Sequence, residues 1–440
     1  LAGVINCWPL DLTGHDPDHH LGAYTVLRLV KTLADNDTLK PLIYFVTSNT
    51  QPTPGSRVAH VDQATLWGLG RVIGHQELSE YWGGLVDIDM ADNPEQTVAR
   101  ICSHVLDDES EDQIAIRGGT TFVPRLRPCA SLTSPFPTKL TPDASYVVTG
   151  GAGALGRIAA SYLAERGARH VILLGRRIFP DRDQWSTLGG DDPHRATVDT
   201  IRAIEKLGAT VTVCSVDITD AGGVQAWLRD HERNGGRPIR GIIHAAGSVH
   251  DQLLVNMSED DFAAVTGPKI TGTKVLHNAF QAHDLEFFVM FGSAGSTIAS
   301  PGQGNYAAAN AFLDAFAHHR RAQGLPALTI GWGPWSVGMV EELGLEKMYA
   351  QRGIDLITPA IGVRILDRLI NQDVSTVVAI SADWNRARQA GLGAHLPLMF
   401  AELQASDKDS ADVGSGASIL AVLASTPESD RLGVVAHHIR

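Results

Sequence analysis

From residue 143 to residue 332, short apolar runs alternate with longer stretches in which apolar residues return every third or fourth position. The short runs predict strands at Ala144–Thr149, His170–Leu174, Thr210–Val216, Ile239–Ala245, Glu286–Phe291 and Ala327–Trp332. The longer stretches predict helices at Arg157–Arg166, Val198–Leu207, Val224–Arg233, Ile270–Ala282 and Asn305–Gln323. Strand and helix in alternation read as a parallel sheet covered by helices, here a doubly wound unit.

The first 130 residues echo part of that unit. Strand Pro41–Val46, helix Asp62–Val72 and strand Gly84–Ile88 follow the order of Glu286–Phe291, Asn305–Gln323 and Ala327–Trp332; Gly3–Trp8 with helix Ala23–Ala34 resembles Gly241–Ala245 with Ile270–Ala282. This front part has no glycine-rich loop after a strand, and Tyr24, Tyr44 and Tyr81 stand in no Tyr-x-x-x-Asn or Tyr-x-x-x-Lys pattern. The expected fold class is therefore α/β, with two Rossmann-like subdomains: a degenerate structural one over residues 1–138 and a complete doubly wound one over 139–404. The Pro-, Ser- and Thr-rich stretch Pro124–Pro142 reads as their connector. The polar run Ala405–Ser418 reads as a linker, and Ile419–Ile439 as an amphipathic helical segment, the start of a following domain over 405–440.

Composition narrows the partners. Lys plus Arg number 36 against 49 Asp plus Glu, a net charge of -13 over 440 residues. Such a chain lacks the basic face that nucleic acid or an anionic membrane surface requires. No apolar run approaches the roughly 20 residues needed to cross a bilayer. The N-terminus carries no Met and no basic n-region, and reads as cut from a longer polypeptide rather than as a signal peptide. Four scattered cysteines, with neither a CxxC pair nor zinc spacing, fit a reducing cytoplasm.

The chemistry starts at Thr149-Gly150-Gly151-Ala152-Gly153-Ala154-Leu155-Gly156, a G-x-G-x-x-G loop that closes a strand and opens a helix. Glycines there let the backbone approach a pyrophosphate, whose charge rests on the helix N-terminus; the plain alternative is a flexible turn. At the end of the second strand, where a site for NAD would place Asp or Glu, the chain has Gly175-Arg176-Arg177. Two guanidiniums can grip a 2′-phosphate, which favours NADPH; two solvated surface arginines are the plain alternative. Asp217, followed by Ile218 after the third strand, can accept from an adenine amine or cap a helix. Ser293 ends the fifth strand, Tyr306 and Asn310 share a helix face in Tyr-x-x-x-Asn, and Lys269 heads the preceding helix. Reducing a ketone needs a proton donor, and a tyrosine whose pKa a nearby ammonium lowers can serve. Singly, each of these four has a plain reading as turn, core or surface residue.

Together these residues resemble the ketoreductase domain of a type I modular polyketide synthase, in the short-chain dehydrogenase/reductase superfamily. The resemblance spans residues 1 to about 400 and rests on Thr149–Gly156, Gly175-Arg176-Arg177, His244-Ala245-Ala246-Gly247, Pro268-Lys269, Ser293 and Pro301-Gly302-Gln303-Gly304-Asn305-Tyr306-Ala307-Ala308-Ala309-Asn310. In the front part it rests on Leu66–Arg71, Trp82–Asp87 and Val123–Leu126. The resemblance implies Tyr306 as proton donor, Ser293 on the substrate carbonyl, and Lys269 and Asn310, exchanged relative to ordinary short-chain reductases, tuning the tyrosine. It implies NADPH held by the glycine loop, Arg176, Arg177, Asp217, Ile218 and Ala245–Gly247. The implied substrate is a β-ketoacyl chain on the phosphopantetheine of an acyl carrier domain within the same synthase.

Stereocontrol is implied at Asp251, Ile298, Pro301, Gln303 and Asn305. Asp251 matches the last residue of the Leu-Asp-Asp motif of members that give D-hydroxy products, here Val249-His250-Asp251, and Ile298 stands where L-type members carry Trp. A D-hydroxy (B-type) product follows, without α-epimerisation, since Ala308 stands where epimerising D-type members have proline. A lid between Trp335 and Ile357 is implied, with Met339 over the substrate behind a glycine hinge at Gly338. The connector from Leu126 to Ala144 is too short for an enoyl reductase. The loop cluster His15, Asp16, Asp18, His19 and His20 is read as solvated, and no metal is expected. Two rival readings are a non-reducing carrier-docking scaffold, against the intact loop and tetrad, and a free-standing dehydrogenase, against the degenerate front half.

Overall fold

The computed structural model describes residues 3–12, 22–36, 40–106, 111–129, 137–389 and 398–403. The His15–His20 cluster, the linker and the C-terminal amphipathic segment lie outside the described residues.

Two sheets organise the chain. β1 (Gly3–Asn6), β2 (Leu42–Ser48), β3 (Trp82–Ile88), β4 (Gln113–Arg117) and β5 (Thr120–Phe122) pair in that order. The first four are parallel and β5 folds back on β4. The second sheet contains β6 (Ser145–Thr149), β7 (His170–Gly175), β8 (Thr210–Ser215), β9 (Ile239–His244), β10 (Phe287–Ser293) and β11 (Leu328–Trp332). After β12 (Ile354–Asp355) comes β13 (Thr376–Ala379), its seventh strand, while β14 (Ser381–Ala382) pairs with β12. All seven run parallel in the order β8-β7-β6-β9-β10-β11-β13. Every residue of β6 and β11 is buried, because helices cover both faces.

Three helices belong to the first sheet: α1 (Ala23–Ala34), α2 (Thr65–Val72) and α3 (Pro94–Leu106). Ten follow: α4 (Ala154–Glu165), α5 (Arg195–Lys206), α6 (Ala221–Arg233), α7 (Glu259–Thr266), α8 (Gly272–Phe280), α9 (Gly304–Ala322), α10 (Met339–Glu342), α11 (Glu346–Gln351), α12 (Pro359–Leu369) and α13 (Trp384–Gln389). The order β1-β2-β3-β4 repeats β9-β10-β11-β13, so the expected echo is half of a doubly wound sheet. The sequence reading missed β4, β5, β13, α3, α7 and α12. Strand β13 is four residues long and mostly half-buried, which leaves little periodic signal.

The two halves meet through equivalent helices. α2 lies along α9, the most extensive helix pairing among the described residues. Gly68 makes it possible, since a Cβ there would overlap the backbone of Ala307 and Ala308. α9 answers with Ala307, Ala308, Ala309 and Ala311, all buried. One further correction concerns the helix expected at Ile270–Ala282. It begins earlier, as α7, and passes through a π-helical turn at Gly267–Thr271 before α8. Pro268 has no N–H to donate, and the Gly272 N–H bonds back five residues to the Gly267 carbonyl. Among the described residues no helix is long and apolar enough to cross a membrane.

The α2–α9 contact yields a stability prediction. Gly68→Ala should cost about 1–3 kcal/mol or more by overpacking. Gly189→Ala, where a Cβ meets open space, should stay within about 0.5 kcal/mol. Urea unfolding midpoints of the two variants check both values.

Candidate active site

At the C-terminal ends of β6 and β9, where the strand order reverses, two connected hollows open. This is the topological switch point at which doubly wound sheets bind ligands. The first hollow, about 730 Å³, is lined by Gly150, Gly153 and Ala154, by Arg176 and Arg177, by Asp217 and Ile218, and by Ala245–Gly247. The second, about 310 Å³, takes in Leu155, Gly156, Lys269, Ser293, Ile298, Gln303, Tyr306 and Met339.

The loop from Thr149 to Gly156 is shaped as a cradle. Gly150 has φ +66, and a Cβ on it would stand 2.8 Å from Ala246 Cα. A Cβ on Gly156 would overlap the Gly150 carbonyl, so the first turn of α4 is drawn tight against the loop. Gly153 caps α4 without any side-chain acceptor, which leaves the helix N-terminus open to an anion. Arg176 and Arg177, both exposed, stand on the rim. These features fit a dinucleotide carrying a 2′-phosphate. Thr149 and Gly151 lie behind the wall rather than in it. The Thr149 hydroxyl is hydrogen-bonded to His244 Nδ1 at 2.6 Å and accepts from the Ala246 N–H at 3.3 Å, while Gly151 packs on Leu173. Asp217 does not cap a helix: Asp220 caps α6, and Asp217 Oδ1 accepts from the Thr219 N–H at 2.9 Å and hydroxyl at 2.7 Å. Burial pushes the Asp217 carboxyl up, but Thr219 and nearby Arg176 outweigh it and hold the group below its ordinary value.

In the second hollow the expected tetrad comes together. Lys269, carried inward by the π-helical turn, is buried and donates to the Phe291 carbonyl at 2.9 Å. Its ammonium lies 5.6 Å from the centre of the Tyr306 ring. Burial pushes Lys269 down to about 8, with the Asp314 carboxylate pulling the other way. Asn310, one turn past Tyr306, donates to the Tyr306 carbonyl at 2.8 Å, and its buried Oδ1 has no partner among the described residues. Ser293 Oγ accepts from the Gly295 N–H at 3.0 Å, and its interaction with Tyr306 favours the phenolate.

The phenol itself departs from expectation. Burial raises the Tyr306 pKa, with Tyr349 and Asp251 adding to it, against hydrogen bonds from Ser293 and Asn310. The ammonium does not lower it, because Lys269 faces the ring and is engaged by the Phe291 carbonyl. Tyr306 therefore keeps its proton at neutral pH, the form a proton donor needs.

The stereocontrol residues divide. Ile298, Gln303 and Met339 line the hollow, whereas Asp251, Pro301 and Asn305 do not. Asp251 accepts from Gln303 Nε2 at 3.0 Å. Asn305 is fully buried, and its amide donates to the carbonyls of His250 at 2.9 Å and Asp261 at 3.1 Å. It anchors the loop that carries Asp251. Gly338, with φ +72, turns the chain into α10, and Tyr349 and Arg352 from the next turns complete the wall.

Sequence reasoning passed over Asp314, Arg71 and Glu77. Asp314 continues the stripe of Tyr306 and Asn310 at four-residue spacing, the one signal that pointed to it. Half-buried, it is pushed up to about 6 by desolvation, accepts from the Ser296 hydroxyl at 2.8 Å, and faces the charges of Arg71 and Lys269. Arg71, from α2, is itself buried and donates to the Ser296 carbonyl at 2.6 Å and to Gln113 Oε1 at 2.9 Å. Among the described residues no group of His, Cys, Asp and Glu is arranged to hold a metal ion.

A glycine cradle at the switch point, beside a serine, tyrosine and lysine, is the arrangement of short-chain dehydrogenase/reductase oxidoreductases. Comparison with known families goes further: residues 144–337 match the KR domain, and residues 4–126 match the Rossmann fold domain of polyketide synthase extender module SpnB. The chain belongs to the ketoreductase domains of polyketide synthases. It is 37% identical over 355 residues to a phenolphthiocerol/phthiocerol polyketide synthase of Mycobacterium tuberculosis, covering 80% of this chain and 19% of that protein. It is 34% identical over 441 residues to polyketide synthase GfsA of Streptomyces halstedii, covering 98% of this chain and 6% of the relative. The chain thus spans a small part of these curated relatives. Among solved structures, an A1-type ketoreductase superposes with a TM-score of 0.82 at 30% identity, covering 93% of this chain and 83% of that one. A C2-type ketoreductase from a modular polyketide synthase gives 0.78 at 26%, covering 92% and 84%.

The buried ammonium yields a prediction. Lys269 should lose its proton with a midpoint of about 8, read from its side-chain NMR shift. Asp314→Asn removes the charge that favours the ammonium and should move that midpoint to lower pH.

Proposed function

We propose that this domain reduces the β-keto group of an acyl thioester, presented on the phosphopantetheine arm of a carrier domain of the same synthase, to the D-hydroxy (B-type) product with NADPH. The observation that carries this reading is the meeting of the two hollows. The cradle with Arg176 and Arg177 at its rim opens directly onto Ser293, Tyr306 and Lys269. When bound, NADPH supplies the hydride. Gly150–Gly156 would hold its pyrophosphate against the N-terminus of α4, and Arg176 with Arg177 its 2′-phosphate.

The chain's own residues do the rest. Ser293, fixed at the end of β10 by its bond to the Gly295 N–H, is placed to hydrogen-bond the ketone oxygen. Tyr306, whose pKa desolvation raises and which is therefore protonated, hands its proton to that oxygen as negative charge develops. Lys269 keeps a positive charge behind the tyrosine, which favours the phenolate left after transfer. Asn310 holds the first turn of α9 at the Tyr306 carbonyl. Met339, Tyr349 and Trp335 wall the hollow with apolar surface, which strengthens these interactions by excluding water.

The D assignment rests on Asp251, Ile298, Pro301 and Asn305, and the structure adds a route for their influence. Asp251 grips Gln303, which lines the hollow, and Asn305 grips the backbone of His250. The A1-type and C2-type designations of the solved neighbours belong to those proteins. A cytoplasmic location is part of the same proposal.

The test is oxidation of NADPH with a β-ketoacyl thioester surrogate, followed by chiral analysis of the alcohol. Turnover to the D-alcohol is expected; the L-alcohol would overturn the stereochemical assignment and leave the reductase. Tyr306→Phe should lower kcat by about 10²–10⁴-fold. Arg176→Ala with Arg177→Ala should weaken NADPH binding by about 10–100-fold, the worth of one charge-assisted bond. Binding of NADH should be unchanged, as titration by fluorescence would show.

A further inference from the structure

The half that lacks a cofactor cradle touches the loops that border the substrate cleft. α2 ends in a π-helical turn at Ile73–Glu77, closed by the Leu78 N–H bonding back five residues to the Ile73 carbonyl. The wider turn presents Glu77 to the other half of the molecule. There its two carboxylate oxygens are divided between two loops. Oε2 accepts from the Leu254 N–H at 2.7 Å, and Oε1 accepts from the Gly302 N–H at 2.7 Å. Glu77 has no salt-bridge partner among the described residues. A half-buried carboxylate without a cation is tolerable only when its lone pairs meet donors, and here two backbone amides provide them.

Both loops bear on the reaction. Residues 300–303 form the turn into α9 and bring Ser300 and Gln303 to the cleft wall beside Tyr306. Residues 250–254 carry Asp251, whose carboxylate fixes the Gln303 amide. The loops also bond to each other through the Gln252 N–H and the Gly302 carbonyl at 2.8 Å. Glu77 thus closes a ring of contacts, from Gly302 through Gln303 and Asp251 to Leu254 and back.

We propose that Glu77 is a positioning residue for specificity: by clamping these two loops together it sets the side from which the ketone enters, and hence which face of it is reduced. The proposal deepens the reading of the domain as a β-keto reductase and rests on that reading. A carboxylate is suited to the task because two acceptors on one rigid group fix a distance between the loops, which a single hydrogen bond does not.

Glu77→Gln tests this in the whole chain. The amide keeps the size of the side chain but opposes one backbone N–H with another donor. Two readouts are needed. Hydrogen exchange followed by mass spectrometry should show peptides containing Leu254 and Gly302 exchanging about tenfold faster than in the parent chain. With the thioester surrogate, the ratio of major to minor alcohol should fall by about tenfold, a displacement effect of the size expected for misplaced substrate. Ile201→Ala, a buried position of α5 that neither lines the substrate hollow nor belongs to either loop, serves as a control for general destabilisation; it should lower the active fraction and leave the ratio unchanged. If Glu77→Gln does not fold, Glu77→Asp, which withdraws the carboxylate by one methylene, is read in the same way. Faster exchange with an unchanged product ratio would overturn the proposal, as would unchanged exchange. If the parent chain reduces no β-keto thioester, the functional reading falls and the specificity role with it, and the exchange data still report the clamp separately.

Discussion

The structure depends on how closely α2 can approach α9. α9 is enclosed by β10 and β11 on one side, α7 on another and α2 on a third, and 13 of its 19 residues are buried. A helix buried nearly all round needs small residues where another backbone comes near and apolar ones elsewhere. Ala307, Ala308, Ala309 and Ala311 meet the first need, and Phe312, Leu313 and Phe316 the second. What remains is one polar stripe, Tyr306, Asn310 and Asp314, at four-residue spacing. Because the other faces of α9 are fixed by packing, this stripe has a single orientation, and the site residues inherit their precision from it.

That stripe also explains how a charged lysine is kept inside. A buried ammonium is costly unless paired and hydrogen-bonded. Lys269 has the Phe291 carbonyl at 2.9 Å and the field of Asp314, and Asp314 in turn has Arg71, contributed by α2. The chain of charges therefore crosses from one half of the molecule to the other. Burial outweighs pairing for both groups, which brings Lys269 down to about 8 and Asp314 up to about 6. Removing the front half would expose α9 and take from Asp314 one of its two cations, Arg71, so that half contributes electrostatics as well as surface.

Much of this was legible in the sequence, for reasons that differ by residue. Gly150, Gly153 and Gly156 stood out because the loop geometry admits little else, and Tyr306, Asn310 and Ser293 because their spacing places them on known element ends. Lys269 was legible as a residue but not in its setting, since a π-helical turn leaves no periodic mark beyond Pro268. The direction of the Tyr306 shift differs from expectation because it depends on burial in the folded site, with Tyr349 and Asp251 adding to it, which local sequence does not carry. Asn305, read as a stereocontrol residue, and Asp217, read as an adenine acceptor or a helix cap, both also bond locally, a common use of polar side chains near turns. The role of Glu77 was invisible, as its partners lie 177 and 225 residues away.

The front sheet's loss of chemistry has a topological cause beyond its missing glycines. Its parallel strands run β1-β2-β3-β4 with no reversal of order, matching only β9, β10, β11 and β13 of the other sheet. A crevice for a dinucleotide forms where two strands send their connections to opposite faces, as β6 and β9 do. A half-sheet has no such point, so no change of side chains alone would give it a cofactor site of this kind. Its strand ends are then free of the demands of ligand binding. At the end of β1 the chain turns through a 3-10 helix, Trp8–Asp11, where the other sheet has Ala245–Gly247 against the glycine loop. Freed in this way, its elements can be shaped toward the neighbouring cleft, and Arg71 and Glu77 occupy two such positions on consecutive turns of one segment.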